Sequence, residues 1–266
     1  MEVKLSANNI ILDCDPGHDD ALAILLALSS PKEINCLGIT TSAGNVPLEL
    51  TTKNALRVLA LIKNNNIEVY KGCPKPLVGE LVTAENVHGE SGLDTGSGTS
   101  LPEPISSYNN KHAVNFILDT LKEAPNNDIT LVATGPLTNL AAAFSIDPQT
   151  FRRAKRIVLM GGAGFEPGNI TPAAEFNIYV DPEAAKIVLE SGVKITMLPL
   201  DVTHKTLVQR DFLDKLRGSG KNSAIQAAKL LDFFERYDVE KYGSQGGPLH
   251  DPNVIIYLLH PEIYNG

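Results

Sequence analysis

The chain has 266 residues, a length that suits one large α/β domain better than two of ordinary size. Its 31 acidic against 23 basic side chains leave a formal charge of −8, which argues against nucleic acid or an acidic membrane as the main partner and favours small molecules and metal cations. With 43% hydrophobic and 20% charged residues the composition builds a sizeable core and excludes a disordered chain. The stretch Met1 to Ile10 carries no long apolar run and so predicts no signal peptide, and no segment reaches the roughly 18 apolar residues of a membrane helix. The first predicted strand is Ile10 to Cys14, followed by a helix over Ala21 to Leu28. Strands are then expected at Asn35 to Ile39, Ile67 to Tyr70, Ile129 to Ala133, Ile157 to Met160 and Lys194 to Leu198. Helical patterns lie between them at Pro47 to Ile62, His112 to Lys122, Leu137 to Phe144 and Pro182 to Glu190. Asp181-Pro182-Glu183 marks the last of these starts as an N-cap, an N1 proline and a first-turn acid. This alternation predicts a single α/β domain over 1–266, with a mostly parallel central sheet flanked by helices. Two stretches break it: Lys71 to Asn110, and Leu207 to Gly247 with a helical pattern around Ala224 to Tyr237, both expected to be lids or edges. Cys14, Cys36 and Cys73 cannot all pair and show no C-x-x-C spacing, so a reducing, cytoplasmic setting is expected.

The segment Asp13-Cys14-Asp15-Pro16-Gly17-His18-Asp19-Asp20 packs four carboxylates into eight residues at the end of the first strand. Alternation along the strand sends Asp13 and Asp15 the same way, and Pro16-Gly17 turns the chain so that Asp19 and Asp20 meet them at a helix start. Helix capping explains one such Asp. It does not explain four, because like charges this close repel unless a cation or protons neutralise them. A metal is the expected answer, and oxygen ligands select Ca²⁺ or Mg²⁺ over zinc. In a parallel sheet the carboxyl end of a strand is also where ligands bind.

The run Asp13 to Ala21 resembles the opening signature of the inosine-uridine preferring nucleoside hydrolases, and further similar motifs follow in the same order. They are Gly44-Asn45, Val87-His88-Gly89 with Gly92-Leu93, Thr134-Gly135-Pro136-Leu137-Thr138-Asn139, Met160-Gly161-Gly162, Asn169, Glu175-Phe176-Asn177 and Leu249-His250-Asp251-Pro252. The resemblance implies a Rossmann-like nucleoside hydrolase fold and Ca²⁺ held by Asp15, Asp20, Asp251 and the Thr134 carbonyl. It implies Asp15 as general base on water, and Asp19, Asn45, Glu175 and Asn177 on the ribose hydroxyls with Asn169 and Met160 near the sugar. His88 and Phe176 would surround the base, and His250 would be the acid for the departing base. The implied substrates are purine and pyrimidine ribonucleosides, and the implied assembly is a homodimer or homotetramer. With no Trp in the chain, a tryptophan sandwich around a purine is ruled out.

Several of these residues also have plainer readings. Asp251-Pro252 reads equally as a cap and N1 proline, Glu175-Phe176-Asn177 as an ordinary loop, and Tyr237, Glu240 and Tyr242 as one face of an amphipathic helix or a cover for the base. Asp13-x-Asp15 also invites comparison with a Mg²⁺-dependent phosphatase, against which the added acids would repel phosphate. A non-catalytic nucleoside-binding homologue is a further alternative, since the chain stops at Gly266, a few tens of residues before these hydrolases usually end.

Overall fold

The computed structural model describes residues 7–96, 99–242 and 246–265, with 237–242 described by backbone alone. In chain order the elements are β1 Asn8–Cys14, α1 His18–Ser29, β2 Ile34–Thr41, α2 Leu48–Leu61, β3 Val69–Lys71, α3 Glu85–His88, α4 Ala113–Glu123, β4 Ile129–Ala133 and α5 Thr138–Ile146. There follow α6 Pro148–Phe151, β5 Arg156–Met160, α7 Phe176–Val180, α8 Pro182–Leu189, β6 Ile195–Leu198, α9 Leu200–Thr203, α10 Arg210–Gly218, α11 Asn222–Tyr242 and α12 Pro252–Leu259. The six strands form one sheet in the order β3-β2-β1-β4-β5-β6, and every pairing is parallel.

Parallel strands covered on both faces read as continuous apolar runs, and β1 shows why. Ile10, Leu12 and Cys14 pack into one core with α1, α2 and α12, while Ile11 turns to the other face against α4, α5 and α8. The chain leaves β1 for β2 on one side and returns to β4 on the other, so the order reverses between β1 and β4. Crevices at the carboxyl ends of strands beside such a reversal are where α/β sheets bind ligands. Register carries the residues of interest to that rim: Asp13 lies opposite Thr40 of β2 and Ala133 of β4, one residue before Thr134.

The expected helix start at Asp181 is present, its side chain accepting from the Ala184 amide at 3.0 Å. Asp251 precedes α12 as expected but does not cap it through its side chain, and its own backbone is already helical at φ −65° and ψ −38°. Its carboxylate is therefore free for another task. Among the described residues no helix is long and apolar enough to cross a membrane. All three cysteines are unpaired.

Candidate active site

One cavity opens at the carboxyl rim of the sheet, and its wall brings together Asp19, Asn45, His88, Thr134, Met160, Asn169, Glu175, Phe176, Asn177, His250 and Asp251. These come from seven separate stretches of chain. Asp15 and Asp20 lie directly behind the wall, both fully buried. Loop residues after β1, β2, β4 and β5 converge because their strands are neighbours in the sheet, not because they are near in sequence.

Asp20 sits in the first turn of α1 and is held three ways. Its Oδ1 accepts from Thr134 Oγ1 at 2.7 Å, and its Oδ2 accepts from the Gly17 amide at 3.0 Å and from Asn45 Nδ2 at 3.1 Å. Capping and site-building are thus one arrangement. Asp15 accepts from the Asn45 amide at 2.7 Å through Oδ2, while its Oδ1 is buried with no hydrogen-bond partner. Asp19 and Asp251 face each other, with the Asp251 amide 3.4 Å from Asp19 Oδ2. Carboxylate oxygens of Asp19, Asp20 and Asp251 all lie within 4.8 Å of one another.

Asp13 departs from the expected pocket. It still belongs to β1, so its side chain stands perpendicular to the sheet and meets α5, where Oδ1 accepts from Asn139 Nδ2 at 2.8 Å and from Thr40 Oγ1 at 2.5 Å. Asp15 lies past the strand end and is steered by the turn instead. The four acids therefore divide, and Asp251, from the far end of the chain, joins Asp19 and Asp20 in place of Asp13.

Burial dominates the electrostatics. It raises the Asp19 carboxyl to about 7 with help from the Asp20 charge, and it drives Asp15 and Asp251 well above the ordinary carboxylate range. Asp20 moves the same way, restrained by its Gly17 and Thr134 hydrogen bonds. Among the described residues no Lys or Arg lines the cavity to offset these charges. The cluster can hold a metal ion: its donors are all oxygens, as hard cations require, and a buried Asp15 oxygen lacks any partner.

The opposite wall is polar and well braced. Glu175 caps α7, its Oε1 accepting from the Asn177 amide at 3.0 Å and its Oε2 from the Gly162 amide at 2.9 Å; burial nonetheless raises its carboxyl to about 7. Asn177 Nδ2 donates to the Thr134 carbonyl at 2.8 Å and the Met160 carbonyl at 3.3 Å, which leaves its Oδ1 for a ligand. Asn169 Oδ1 accepts from the Phe176 amide at 2.9 Å, tying the loop that carries it to α7.

The remaining end is aromatic. His88 and His250 line it with Phe234 of α11 and His204, the residue after α9. His250 Nδ1 is 2.8 Å from Thr203 Oγ1, and the enclosure around the ring pushes it down to about 3, so its imidazole is neutral at physiological pH. Burial likewise holds His88 well below the usual histidine value. Sequence reasoning missed His204 and Phe234. The signal for His204 is weak, since a short helix separates it from the strand that ends at Leu198, and Phe234 is hidden within an amphipathic helix. The side chains of Tyr237, Glu240 and Tyr242 lie outside the described residues.

A sequence model of the inosine-uridine preferring nucleoside hydrolase family matches residues 10–266, nearly the whole chain. The protein belongs to this family. The hydrolase is 51% identical over 256 residues to the pyrimidine-specific ribonucleoside hydrolase RihA of Salmonella arizonae, covering 96% of this chain and 80% of that one. An uncharacterized protein of Schizosaccharomyces pombe is 49% identical over 257 residues, covering 97% of this chain and 82% of that one. Among solved structures, the hydrolase superimposes on the purine-preferring ribonucleoside hydrolase of Gardnerella vaginalis with a TM-score of 0.90 at 34% identity, covering 97% of this chain and 81% of that one. A plant nucleoside hydrolase, PpNRh1, gives a TM-score of 0.89 at 35% identity, with 97% and 80% covered. Membership makes the hydrolase an enzyme of N-glycosidic bonds, and the cavity at the strand ends is its candidate active site.

Proposed function

We propose that the enzyme hydrolyses purine and pyrimidine ribonucleosides to free base and ribose, with Ca²⁺ bound by Asp15, Asp20, Asp251 and the Thr134 carbonyl. The observation that carries this reading is the partnerless, buried Asp15 Oδ1 beside the Asp19, Asp20 and Asp251 carboxylates, in a cavity whose other wall is built of Glu175, Asn177 and Asn169. Bound there, Ca²⁺ supplies positive charge that neutralises the acids and makes water a better proton donor. Asp15 takes the proton from the attacking water: its Oδ2 is fixed by the Asn45 amide, its Oδ1 is free, and burial makes the carboxylate more basic.

Cleaving the bond builds positive charge on C1′ and the ring oxygen, and the carboxylates around the sugar stabilise it. Asp19, Asn45, Glu175 and Asn177 grip the ribose hydroxyls; Asn45 does so through its oxygen, because its Nδ2 is already engaged by Asp20 and the Asp15 carbonyl. Asn169 and Met160 border the sugar. His88 and Phe176 flank the base, and His250, neutral in the free enzyme, is the acid for the departing base once it has taken up a proton from solvent. RihA relatives named pyrimidine-specific and a neighbour named purine-preferring both lie close to this chain, which supports a broad reading of the base site. Its three unpaired cysteines accord with a cytoplasmic enzyme of nucleoside catabolism and salvage, acting as a homodimer or homotetramer.

The test is ribose release from uridine and inosine by the purified protein, with Ca²⁺ and after chelation. Release from both that stops on chelation and returns with Ca²⁺ is expected. Full activity after chelation refutes the metal, release from one nucleoside alone refutes the breadth, and no release refutes the reaction.

A further inference from the structure

Asn54 lies in the middle of α2 on its buried side, beside Ala55 and Val58, and is closed off from solvent. It does not line the cavity. Its Nδ2 stands 3.0 Å from the carbonyl oxygen of Pro16 and 2.8 Å from that of Ser91. Carbonyl oxygens only accept, so the amide nitrogen must face both, and each of its two hydrogens has one partner. Asn54 Oδ1 is buried with no hydrogen-bond partner among the described residues. An unpaired buried acceptor is unfavourable, so what Asn54 contributes lies in its donors.

The two carbonyls belong to the two sides of the site. Pro16 follows Asp15 in the turn that leads to Asp19 and Asp20, and Ser91 follows α3, which ends in His88. The two sides are packed tightly, since a Cβ on Gly17 would stand 2.7 Å from both Cε1 and Nδ1 of His88. The acid turn has supports of its own, the Gly17 amide on Asp20 Oδ2 and Asn45 Nδ2 on the Asp15 carbonyl. Beyond His88 the loop bonds largely to itself: the Gly92 amide donates to the Gly89 carbonyl at 3.0 Å and the Asp94 amide to the His88 carbonyl at 3.3 Å. Those bonds keep 88–94 together without placing it. Placement falls to Asn54 at Ser91, to the Ala84 amide on the Asn45 carbonyl at 2.9 Å, to the His18 ring at the Asp94 carbonyl, and to the buried Leu93 side chain. Of these, Asn54 alone grips both backbones through a single atom. Gly92 leaves room for it, since a Cβ there would stand 2.8 Å from Asn54 Nδ2 and 2.9 Å from Val46 Cγ2.

We infer that Asn54 is a positioning residue, which sets the spacing between the turn that carries the acids and the loop that carries His88, and through that spacing how well the enzyme binds the nucleobase. This rests on the hydrolytic reading, which puts His88 beside the base and the acids beside the sugar. Because the acid turn keeps its own supports, losing the Asn54 donors frees the loop and not the turn. Binding of the base then weakens while the sugar end keeps its hold.

Asn54→Leu stays close in shape and removes both donors. Hydrogen exchange in the full-length protein should quicken by about tenfold at 89–94 and change by less than about twofold at 17–21. The KM for uridine and for inosine should rise on the order of tenfold with kcat within about threefold, while the inhibition constant of ribose, which fills the sugar end alone, stays within about twofold. A residue that only stabilised the fold would lower the Tm or the active fraction, and with it kcat, without producing this split. Gly92→Ala strains the same tie from the loop side, because φ there is +80° and the added carbon meets Asn54 Nδ2. It should give the same split, and it carries the test if Asn54→Leu does not fold. Equal quickening at 17–21 and 89–94, a ribose constant that rises with the uridine KM, or an unmoved uridine KM overturns the inference. A wild type that releases no ribose refutes the hydrolytic reading alone, since exchange is read without substrate and still decides whether Asn54 holds the loop.

Discussion

Asp15 carries its carboxylate into a space that exists because two neighbours have no side chain. A Cβ on Gly44 would stand 2.0 Å from Asp15 Oδ2, and one on Gly135 would stand 2.5 Å from Asp15 Oδ1. Neither glycine has positive φ, so it is the missing side chain that matters and not backbone freedom. Gly44→Ala must push the carboxylate off the Asn45 amide or shift the loop against Pro136. Misplacing a catalytic group by about 1 Å costs on the order of 10²-fold, so with Asp15 in its proposed role kcat/KM should fall by about that factor. Overpacking of this kind destabilises by roughly 1–3 kcal/mol, which thermal melting reads separately. Turnover at the wild-type rate would show that Asp15 need not be held where it is. The acids of this site were legible because four of them crowd one strand end, and the remaining polar residues because their motifs recur in the order of a known family. The need for an absent side chain at Gly44 and Gly135 was not, since it arises from contacts across more than one loop. The division of Asp13 from Asp15 was also hidden: two residues apart on a strand share a face, but Asp15 has left the strand.

At the scale of elements, the loop between β5 and α7 is pinned from outside by Asp201 of α9. Asp201 Oδ2 accepts from the Gly164 amide at 2.7 Å, and Oδ1 accepts from the Phe165 amide at 2.7 Å and the Glu166 amide at 3.2 Å. Phe165 at the loop tip is fully exposed, yet the same loop delivers Asn169 and Ile170 to the cavity. Asp201→Ala should therefore speed hydrogen exchange at 164–166 and raise KM several-fold, while global stability changes by less than about 1 kcal/mol because the latch is exposed. These amides hold the Asp201 carboxyl below its ordinary value. Its stabilising effect is then complete above the ordinary value near 3.8 and is lost only as pH falls through the lowered one, so exchange at 164–166 should stay slow down to mildly acidic pH. Fast exchange already in the wild type at neutral pH would contradict the latch. The long elements were readable from their apolar runs, and their ends were not. α1 starts at His18 rather than Ala21 because Asp20 reaches back to the Gly17 amide. The third strand begins at Val69 and not Ile67 because the Ile67 amide turns to Asn64 Oδ1 at 3.3 Å. The short helices α7 and α9 are too brief to show any period, and each is fixed by what precedes it, Glu175 in one case and Pro199 in the other.

For the molecule as a whole, the acidic balance is concentrated where it is hardest to sustain. Asp13, Asp15, Asp19, Asp20, Asp251 and Glu175 are all buried at or beneath one rim of the sheet, with no Lys or Arg among the described residues lining the cavity. Without a cation, the folded protein keeps protons on these groups that the unfolded chain would release, so its stability is complete below the ordinary carboxylate value of 3.8 and falls as pH rises through the raised ones, about 7 for Asp19. A bound divalent cation replaces those protons and removes the dependence. With Ca²⁺ at about a hundred times its Kd, linkage adds ~2.7 kcal/mol, which for a domain of this size is roughly 5–10 °C in Tm. The expected result is a Tm difference between Ca²⁺-loaded and chelated protein that is near zero around pH 4 and widens steadily to pH 8, the chelated form doing nearly all of the moving. A difference of the same size at every pH would mean that the cation stabilises the fold from somewhere other than these carboxylates. No difference at any pH would mean that the acids are neutralised by their own protons, and that the fold reaches its stability without a metal.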